Sequence, residues 1–205
     1  AARIAFVKYN GLDQPFVMNA ASHRRAGGGY QNGSRAQEEE LCRRTSLAFA
    51  IDSSHKRQKM NPYPLPNGTG HFENNVSVFR EGPKSNYAFL PKPFLARFGA
   101  VAAPVQPALT ADGQSMLQEG AQKMMNSLRL FFRMAVTAGS KVVVPIALGA
   151  GAFRCPANHV SKLMMQAIGE ECSNSCVEEV LISIFDDHNA IRKGNEEGNF
   201  LPFAR

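Results

Sequence analysis

The sequence has few cysteines and lacks a long apolar run. Four cysteines in 205 residues exclude a disulfide-rich scaffold, and we expect all four to be reduced thiols. Cys172 and Cys176 are four residues apart, but no second Cys/His pair with zinc-like spacing accompanies them, so we expect no metal site. The longest apolar stretch, 142–153, falls well short of the roughly 20 residues that cross a bilayer. We therefore expect no membrane partner.

The N-terminus also lacks the features of a secretory signal. Residues 1–8 pass directly into a strand-like run, with no separate apolar region and no cleavage site after it. Together with the reduced thiols, this predicts an intracellular protein, either cytoplasmic or nuclear.

The charge is only moderately basic. The 23 Lys and Arg outnumber the 17 Asp and Glu, which leaves a formal charge of +6 and favours anionic partners through long-range attraction. The densest basic groups, 23–25 and 55–59, are too short for a nucleic-acid-binding arm. A basic nucleic-acid-binding module therefore remains an alternative that rests on net charge alone.

The segment pattern predicts an α/β fold. With 44% hydrophobic residues, a chain of this length can bury the core of one domain, which we expect to span residues 1–205. Short β-branched or aromatic runs alternate with longer helical patterns, as in a layered α/β sheet. The predicted strands are Arg3–Lys8, Pro15–Asn19, Val76–Phe79, Tyr87–Leu90, Phe98–Ala103, Lys141–Leu148 and Val177–Phe185.

Two segments have a clear helical period. Apolar residues recur on one stripe from Asp112 to Ala138, and Gly139 supplies a stop signal. A second helix is predicted to begin near Pro156, a residue suited to a first helical turn. In contrast, residues 52–75 are polar and rich in proline and glycine, which predicts a long loop.

The stretch 16–41 has the pattern strand, glycine loop, helix. Gly27, Gly28 and Gly29 can adopt positive φ and turn their N–H groups toward an anion. Ser34 and Gln37 have the spacing of a capping box, which predicts a helix start near Ala36.

The glycine loop and the acidic turn also have a purely structural interpretation. Acidic residues complement the dipole of a first helical turn, and the pairs Glu39–Arg43 and Glu40–Arg44 would together stabilise a helix by about 1 kcal/mol. Three glycines can form a simple turn. A dinucleotide or P-loop origin is not supported, because neither glycine pattern occurs in this loop.

A second glycine loop, 147–156, joins the apolar strand at 141–148 to the helix near Pro156. Ligands of open α/β sheets collect at the carboxyl ends of strands, where a helix N-terminus can bind phosphate. A tight turn that requires glycine is an equally good interpretation of this loop by itself.

Taken together, these motifs resemble a known family. Three glycines at 27–29, seven intervening residues and then Gln37-Glu38-Glu39 are similar to the GGG…QEE signature of poly(ADP-ribose) glycohydrolases (PARGs), particularly the compact microbial type. The preceding segment 18–22 resembles the Asn-Ala-Ala segment of macrodomains, and the likeness extends to 76–80 and to the strand, loop and helix after Lys141. The resemblance implies a macrodomain-like three-layer α/β/α sandwich with a mixed central sheet.

The resemblance also implies an activity, the hydrolysis of O-glycosidic ADP-ribosyl bonds with release of ADP-ribose. Glu39 would protonate the leaving oxygen and then activate water, Glu38 would hold ribose hydroxyls, and Asn19 would bind the ribose. No cofactor or metal is implied. The remaining substrate-binding residues that the resemblance implies are Gly27, Gly28, Gly29, Gln37, Gly149, Ala150, Gly151, Ala152 and Phe153.

The same resemblance sets the expected partners. They are ADP-ribose or poly(ADP-ribose), carried as substrate on ADP-ribosylated protein or nucleic acid, and the protein is expected to be a monomer. Arg154 departs from the family pattern, since relatives often carry glycine after the matching Phe. A reader that binds ADP-ribose without catalysis is the alternative, although a reader has no need of two adjacent glutamates.

Overall fold

A mixed β-sheet lies at the centre of the molecule. The computed structural model describes residues 1–9, 11, 13–51, 63–186, 189–192 and 195–205, and within these the sheet has five strands in the order β2-β3-β1-β4-β5. The strands are β1 (Phe16–Ala20), β2 (Gly70–Arg80), β3 (Phe89–Val101), β4 (Val142–Val144) and β5 (Glu179–Val180). Strands β3, β1, β4 and β5 are parallel to one another, and β2 is antiparallel to β3.

Helices cover both faces of this sheet. In the described ranges they are α1 (Ala2–Lys8), α2 (Gln37–Arg44), α3 (Leu47–Ile51), α4 (Gln118–Thr137), α5 (Ala157–Cys172) and α6 (Leu201–Ala204). Alternate residues of β1 face opposite cores, because side chains of a strand point alternately to its two faces. Phe16 and Met18 join the core under α4 and α5, while Val17 joins the core under α1, α2 and α3. The predicted three-layer arrangement with a mixed sheet is therefore confirmed.

The predicted strand Arg3–Lys8 is wrong, because this segment forms helix α1. Its β-branched and aromatic composition suggested a strand, but its contacts have a helical period. Ala2, Ala5, Phe6 and Tyr9 face the core, while Ile4 and Val7 are exposed. Phe6 packs on Phe94 of β3 with ring centroids 5.1 Å apart, so tertiary packing decides the conformation here.

The β2–β3 hairpin is longer than the sequence pattern suggested. The predicted loop 52–75 is wrong for residues 70–75, which belong to β2, and residues 52–62 lie outside the described residues. The strands predicted at Tyr87–Leu90 and Phe98–Ala103 are parts of one strand, β3. Pro91 and Pro93 hid this continuity, and the register shifts between Val78 and Arg80 where the prolines lie, as expected for residues that cannot donate to a ladder.

Other boundaries are shorter than predicted. The strand at 141–148 is β4 followed by a single bridge at Ile146, because Pro145 has no N–H to donate and only its carbonyl is used, by the Ser183 N–H. The strand at 177–185 reduces to β5 with one further bridge. Helix α4 begins at Gln118 because residues 109–116 close a turn of their own, and its stop at Gly139 is confirmed.

Helix α5 begins directly after Pro156, as predicted. The four cysteines are free. None of the described helices is both long and apolar enough to cross a membrane.

Candidate active site

Helix α2 is anchored to the carboxyl end of β1 by the side chain of Gln37. Its Oε1 accepts a hydrogen bond from the Ala20 N–H at 2.8 Å, and its Nε2 donates to the Met18 carbonyl at 2.7 Å. The helix starts near Ala36 as predicted, but the capping box is wrong, since no side chain caps this helix. Gln37 cannot cap the helix because its amide is already bonded to β1. A direct contact between Gln37 and substrate remains a prediction.

Glu38 is enclosed by hydrogen-bond donors. Its side chain is 2% exposed. Four groups donate to its two oxygens: the Ser22 N–H at 2.6 Å, the Tyr63 hydroxyl at 2.7 Å, the Gly27 N–H at 3.2 Å and Asn19 Nδ2 at 3.3 Å. Burial raises the pKa of Glu38, and three of these bonds, from Tyr63, Ser22 and Asn19, act in the opposite direction. Glu38 thereby ties together the end of β1, the glycine loop and Tyr63.

The two carboxylate oxygens of Glu39 differ in their hydrogen bonding. Its Oε1 accepts a hydrogen bond from the Gly29 N–H at 2.9 Å, while its buried Oε2 has no partner among the described residues. The buried Oδ1 of Asn19 is also without a partner within the described part of the chain. Buried polar atoms are normally satisfied, so these two acceptors are candidates for hydrogen bonds from a ligand.

The glycine loop is shaped by the two glutamates. Gly28 has φ +57°, and a Cβ added there would lie 2.3 Å from Glu39 Oε1, so only glycine allows the main chain to approach the carboxylate this closely. Gly27 donates its N–H to Glu38, Gly28 to the Arg25 carbonyl at 3.1 Å, and Gly29 to Glu39. All three N–H groups are donated within the protein, two to the glutamates and the third to a turn, so the loop serves here to position the carboxylates. Its contact with a diphosphate remains a prediction.

The second loop leaves the same edge of the sheet. Strands β1 and β4 are parallel neighbours, so the segments that follow them emerge side by side. The turn after β4 is closed by the Cys155 N–H, which donates to the Gly149 carbonyl at 3.0 Å. In the described part of the chain, no hydrogen bond uses the N–H groups of Gly151, Ala152 or Phe153. Three consecutive donors are therefore available to an anion at this edge.

Backbone geometry explains two residues of the second loop. Gly149 has φ +74°, and an added Cβ would lie 2.8 Å from both Ala103 and Cys155. Arg154 has φ +58°, a left-handed conformation that glycine adopts most readily. This accounts for the glycine that the resemblance leads one to expect at that position. The Arg154 side chain is exposed, whereas Phe153 is half-buried against the core under α4 and α5.

Two residues of this region were missed by sequence reasoning. Tyr63, which bonds Glu38, follows a proline-rich segment without periodicity, and burial raises the pKa of its hydroxyl. Arg192 lies in a polar stretch near the C-terminus, and its guanidinium donates to the Ala150 and Cys155 carbonyls of the second loop, each at 3.0 Å. Neither residue has a local sequence signal, because each acts on a partner more than 20 residues away.

Within the described residues, no three His, Cys, Asp or Glu side chains are grouped as metal ligands would be. The structure thus bonds Asn19 and Gly27 to Glu38 and bonds Gly29 to Glu39. Gln37 bonds β1, and Gly149–Phe153 lie on the neighbouring loop.

Part of the chain matches a known protein family. Residues 1–81 match the family described as "Microbial-type PARG, catalytic domain". Among curated proteins, none matches the chain.

Solved structures match over nearly the whole chain. One is PARG from Deinococcus radiodurans in complex with ADP-ribose, with 21% identity, a TM-score of 0.75, and coverage of 98% of this chain and 79% of that one. Another is PARG from Thermomonospora curvata bound to the inhibitor ADP-HPD, with 21% identity, a TM-score of 0.71, and coverage of 99% and 75%. The chain therefore has the fold of bacterial poly(ADP-ribose) glycohydrolases, and its first 81 residues carry the sequence pattern of the microbial-type PARG catalytic domain.

Proposed function

We propose that this protein hydrolyses O-glycosidic bonds at the anomeric carbon of ADP-ribose and releases ADP-ribose, with poly(ADP-ribose) and O-linked ADP-ribosyl groups on protein or nucleic acid as the substrate class. The observation that carries the proposal is the geometry of Glu39. This buried carboxyl group has one oxygen fixed by the Gly29 N–H and the other without a partner in the described part of the chain.

The chemistry requires a group of this kind. A glycosidic bond breaks through an oxocarbenium-like state, in which a carboxylic acid protonates the departing oxygen. The resulting carboxylate then takes a proton from the water that attacks the anomeric carbon, so that the acid is regenerated. Glu39 Oε2 is the oxygen available for both transfers, because Oε1 is already bonded to the main chain.

The neighbouring groups fit the rest of the substrate. Asn19 Oδ1, which has no partner among the described residues, is an acceptor for a ribose hydroxyl, and Glu38 holds the Asn19 amide by accepting a hydrogen bond from its Nδ2. The unused N–H groups of residues 151–153 suit the oxygens of a diphosphate, since main-chain N–H groups in sequence form an anion-binding concavity.

The proposal is tested by Glu39→Gln, which keeps the size of the side chain but removes the transferable proton. We expect release of ADP-ribose from poly(ADP-ribose) to fall by at least about 10²-fold, while calorimetry still detects binding of ADP-ribose. Glu40→Gln is the matched control. It removes the same charge one residue later, where the side chain bonds Tyr87 and Arg43 and not the glycine loop.

Near-normal turnover by the Glu39→Gln variant would show that another group supplies the proton. An unmodified protein that binds ADP-ribose but releases none from any of these substrates would instead be a reader.

A further inference from the structure

Resting on the proposed function, we infer that Arg192 is a positioning residue for the diphosphate, one that aims the N–H donors of the second loop without touching the substrate. Its guanidinium makes three hydrogen bonds to carbonyl oxygens. The acceptors are Ala150 and Cys155 of the loop, each at 3.0 Å, and Asn189 at 2.6 Å in its own segment.

The planar peptide unit converts these bonds into an orientation. The Ala150 carbonyl and the Gly151 N–H belong to one trans peptide group, so they point in opposite directions. When Arg192 holds the carbonyl, it turns the Gly151 N–H toward the far side of the loop. The bond from Arg192 to the Cys155 carbonyl fixes the other end of the loop. The N–H groups of residues 151–153, which have no acceptor in the described part of the chain, lie between these two anchored points.

The clamp adds to other bonds of the loop, in which the Gln106 N–H donates to the Phe153 carbonyl at 2.8 Å and the Arg154 N–H to the Gly151 carbonyl at 2.9 Å. Gly149 and Arg154 both have positive φ, and the segment between them includes Gly151, which has no side chain to pack. Loop donors that are aligned before an anion arrives do not lose ordering free energy on binding. A guanidinium suits this role because its planar fork reaches two carbonyls at once, whereas an ammonium acts as a point charge.

Arg192 is itself bonded to Asn195 and, through that residue, to helix α5. The Asn195 N–H donates to the Arg192 carbonyl at 2.8 Å. The Oδ1 of the buried Asn195 accepts a hydrogen bond at 3.3 Å from the N–H of Ala157, the first residue of helix α5. Arg192 is therefore fixed relative to the helix that follows the loop.

The test compares Arg192→Gln and Arg192→Lys with Arg205→Gln. Arg205→Gln is the matched control, because it removes the same charge from the C-terminal segment. There Arg205 makes an exposed ion pair with Glu197. For each variant the thermal transition, the Kd for ADP-ribose, and KM and kcat on poly(ADP-ribose) are measured. We expect Arg192→Gln to raise Kd and KM by about tenfold with kcat within about twofold, and Arg192→Lys to raise Kd and KM by an intermediate factor. Arg205→Gln should leave Kd, KM and kcat unchanged.

Three results would overturn the inference: an unchanged Kd for Arg192→Lys, an equal loss for Arg205→Gln, or a fall in kcat with KM unaltered. If Arg192→Gln does not fold, the Kd and KM of Arg192→Lys test the inference, since this variant keeps the charge and loses only the planar guanidinium. Failure of the unmodified protein to bind ADP-ribose would overturn the proposed function together with this inference, whereas normal binding by the unmodified protein and by both Arg192 variants overturns the inference alone.

Discussion

Two adjacent glutamates of helix α2 have different surroundings. Among the described residues, Glu38 receives four donors, whereas Glu39 receives one and has a second, buried oxygen without a partner. Neighbouring helix positions are separated by about 100° around the axis. One side chain therefore meets the end of β1 and Tyr63, while the other meets the glycine loop. This difference supports the roles we propose, proton transfer by Glu39 and support of Asn19 and the loop by Glu38.

Gly28→Ala should uncouple the glycine loop from Glu39. The added methyl would lie 2.3 Å from Glu39 Oε1, so the carboxylate must move, and a displacement of about 1 Å can cost on the order of 10²-fold in turnover. Steady-state kinetics on poly(ADP-ribose) measures the effect. Gly33→Ala is the control, because Gly33 has φ +84° with nothing within 4 Å of an added Cβ. It imposes backbone strain without the clash, and equal losses in both variants would mean that strain alone is responsible.

The pKa of Glu38 predicts a pH dependence of stability. Burial raises this pKa above its ordinary value of 4.5, so the folded state holds the proton more tightly than the unfolded chain. The free energy of unfolding should therefore fall as pH rises from 4.5 through the raised pKa. Tyr63→Phe removes a donor that lowers this pKa, and the fall should then continue to higher pH.

Urea unfolding between about pH 4 and pH 8 measures this dependence. In a Glu38→Gln background the extra pH dependence from Tyr63→Phe should vanish. If it persists there, another group is responsible.

At the scale of elements, the apolar faces of the amphipathic helices form part of the core. Leu128 of α4 is fully buried, and its replacement by Ala should cost about 2–5 kcal/mol of unfolding free energy. Leu117, just before α4, is 48% exposed, so Leu117→Ala should cost far less. Ile146 is only half-buried, and Ile146→Ala should fall below that range. Denaturant unfolding of the three variants measures these losses of unfolding free energy. A near-zero loss for Leu128→Ala would contradict its place in the core.

The elements that carry the site are joined by a few specific bonds. Gln37 fixes α2 to β1, and Arg43 holds the segment after the glycine run through the Tyr30 carbonyl at 3.0 Å. The i,i+4 helix pair that the sequence suggested for Glu39 and Arg43 is not made. Arg43 bonds the loop and Glu40 instead, because Glu39 turns toward Gly29.

For the whole molecule, ligand binding and folding are linked. A ligand that binds only the folded state stabilises it by RT ln(1 + [L]/Kd), about 2.7 kcal/mol at one hundred times Kd. We expect ADP-ribose to raise the melting temperature of the unmodified protein and of the Glu39→Gln variant to a similar extent, because that substitution leaves the binding groups in place. Thermal unfolding with and without ADP-ribose measures this shift. A variant without the shift would show that Glu39 contributes to binding as well as to proton transfer.

The sequence by itself determined the α/β class, the two long helices, and the strand, glycine loop and acidic helix that hold Asn19, Glu38 and Glu39. These features are encoded over short distances, in hydrophobic period and in residue spacing. Prediction from periodicity failed in α1, where tertiary packing decides the conformation. It also failed in β3, where prolines interrupt the pattern although the strand still pairs with β2.

Only the tertiary structure decided which loops meet and which donors remain open. The parallel pairing of β1 with β4 brings residues about 120 positions apart to one edge of the sheet. The tertiary structure also brings in Tyr63 and Arg192, whose partners are distant in sequence, and it shows that the N–H groups of Gly27 and Gly29 donate to the glutamates. Such contacts depend on the relative placement of elements, and local sequence does not encode that placement.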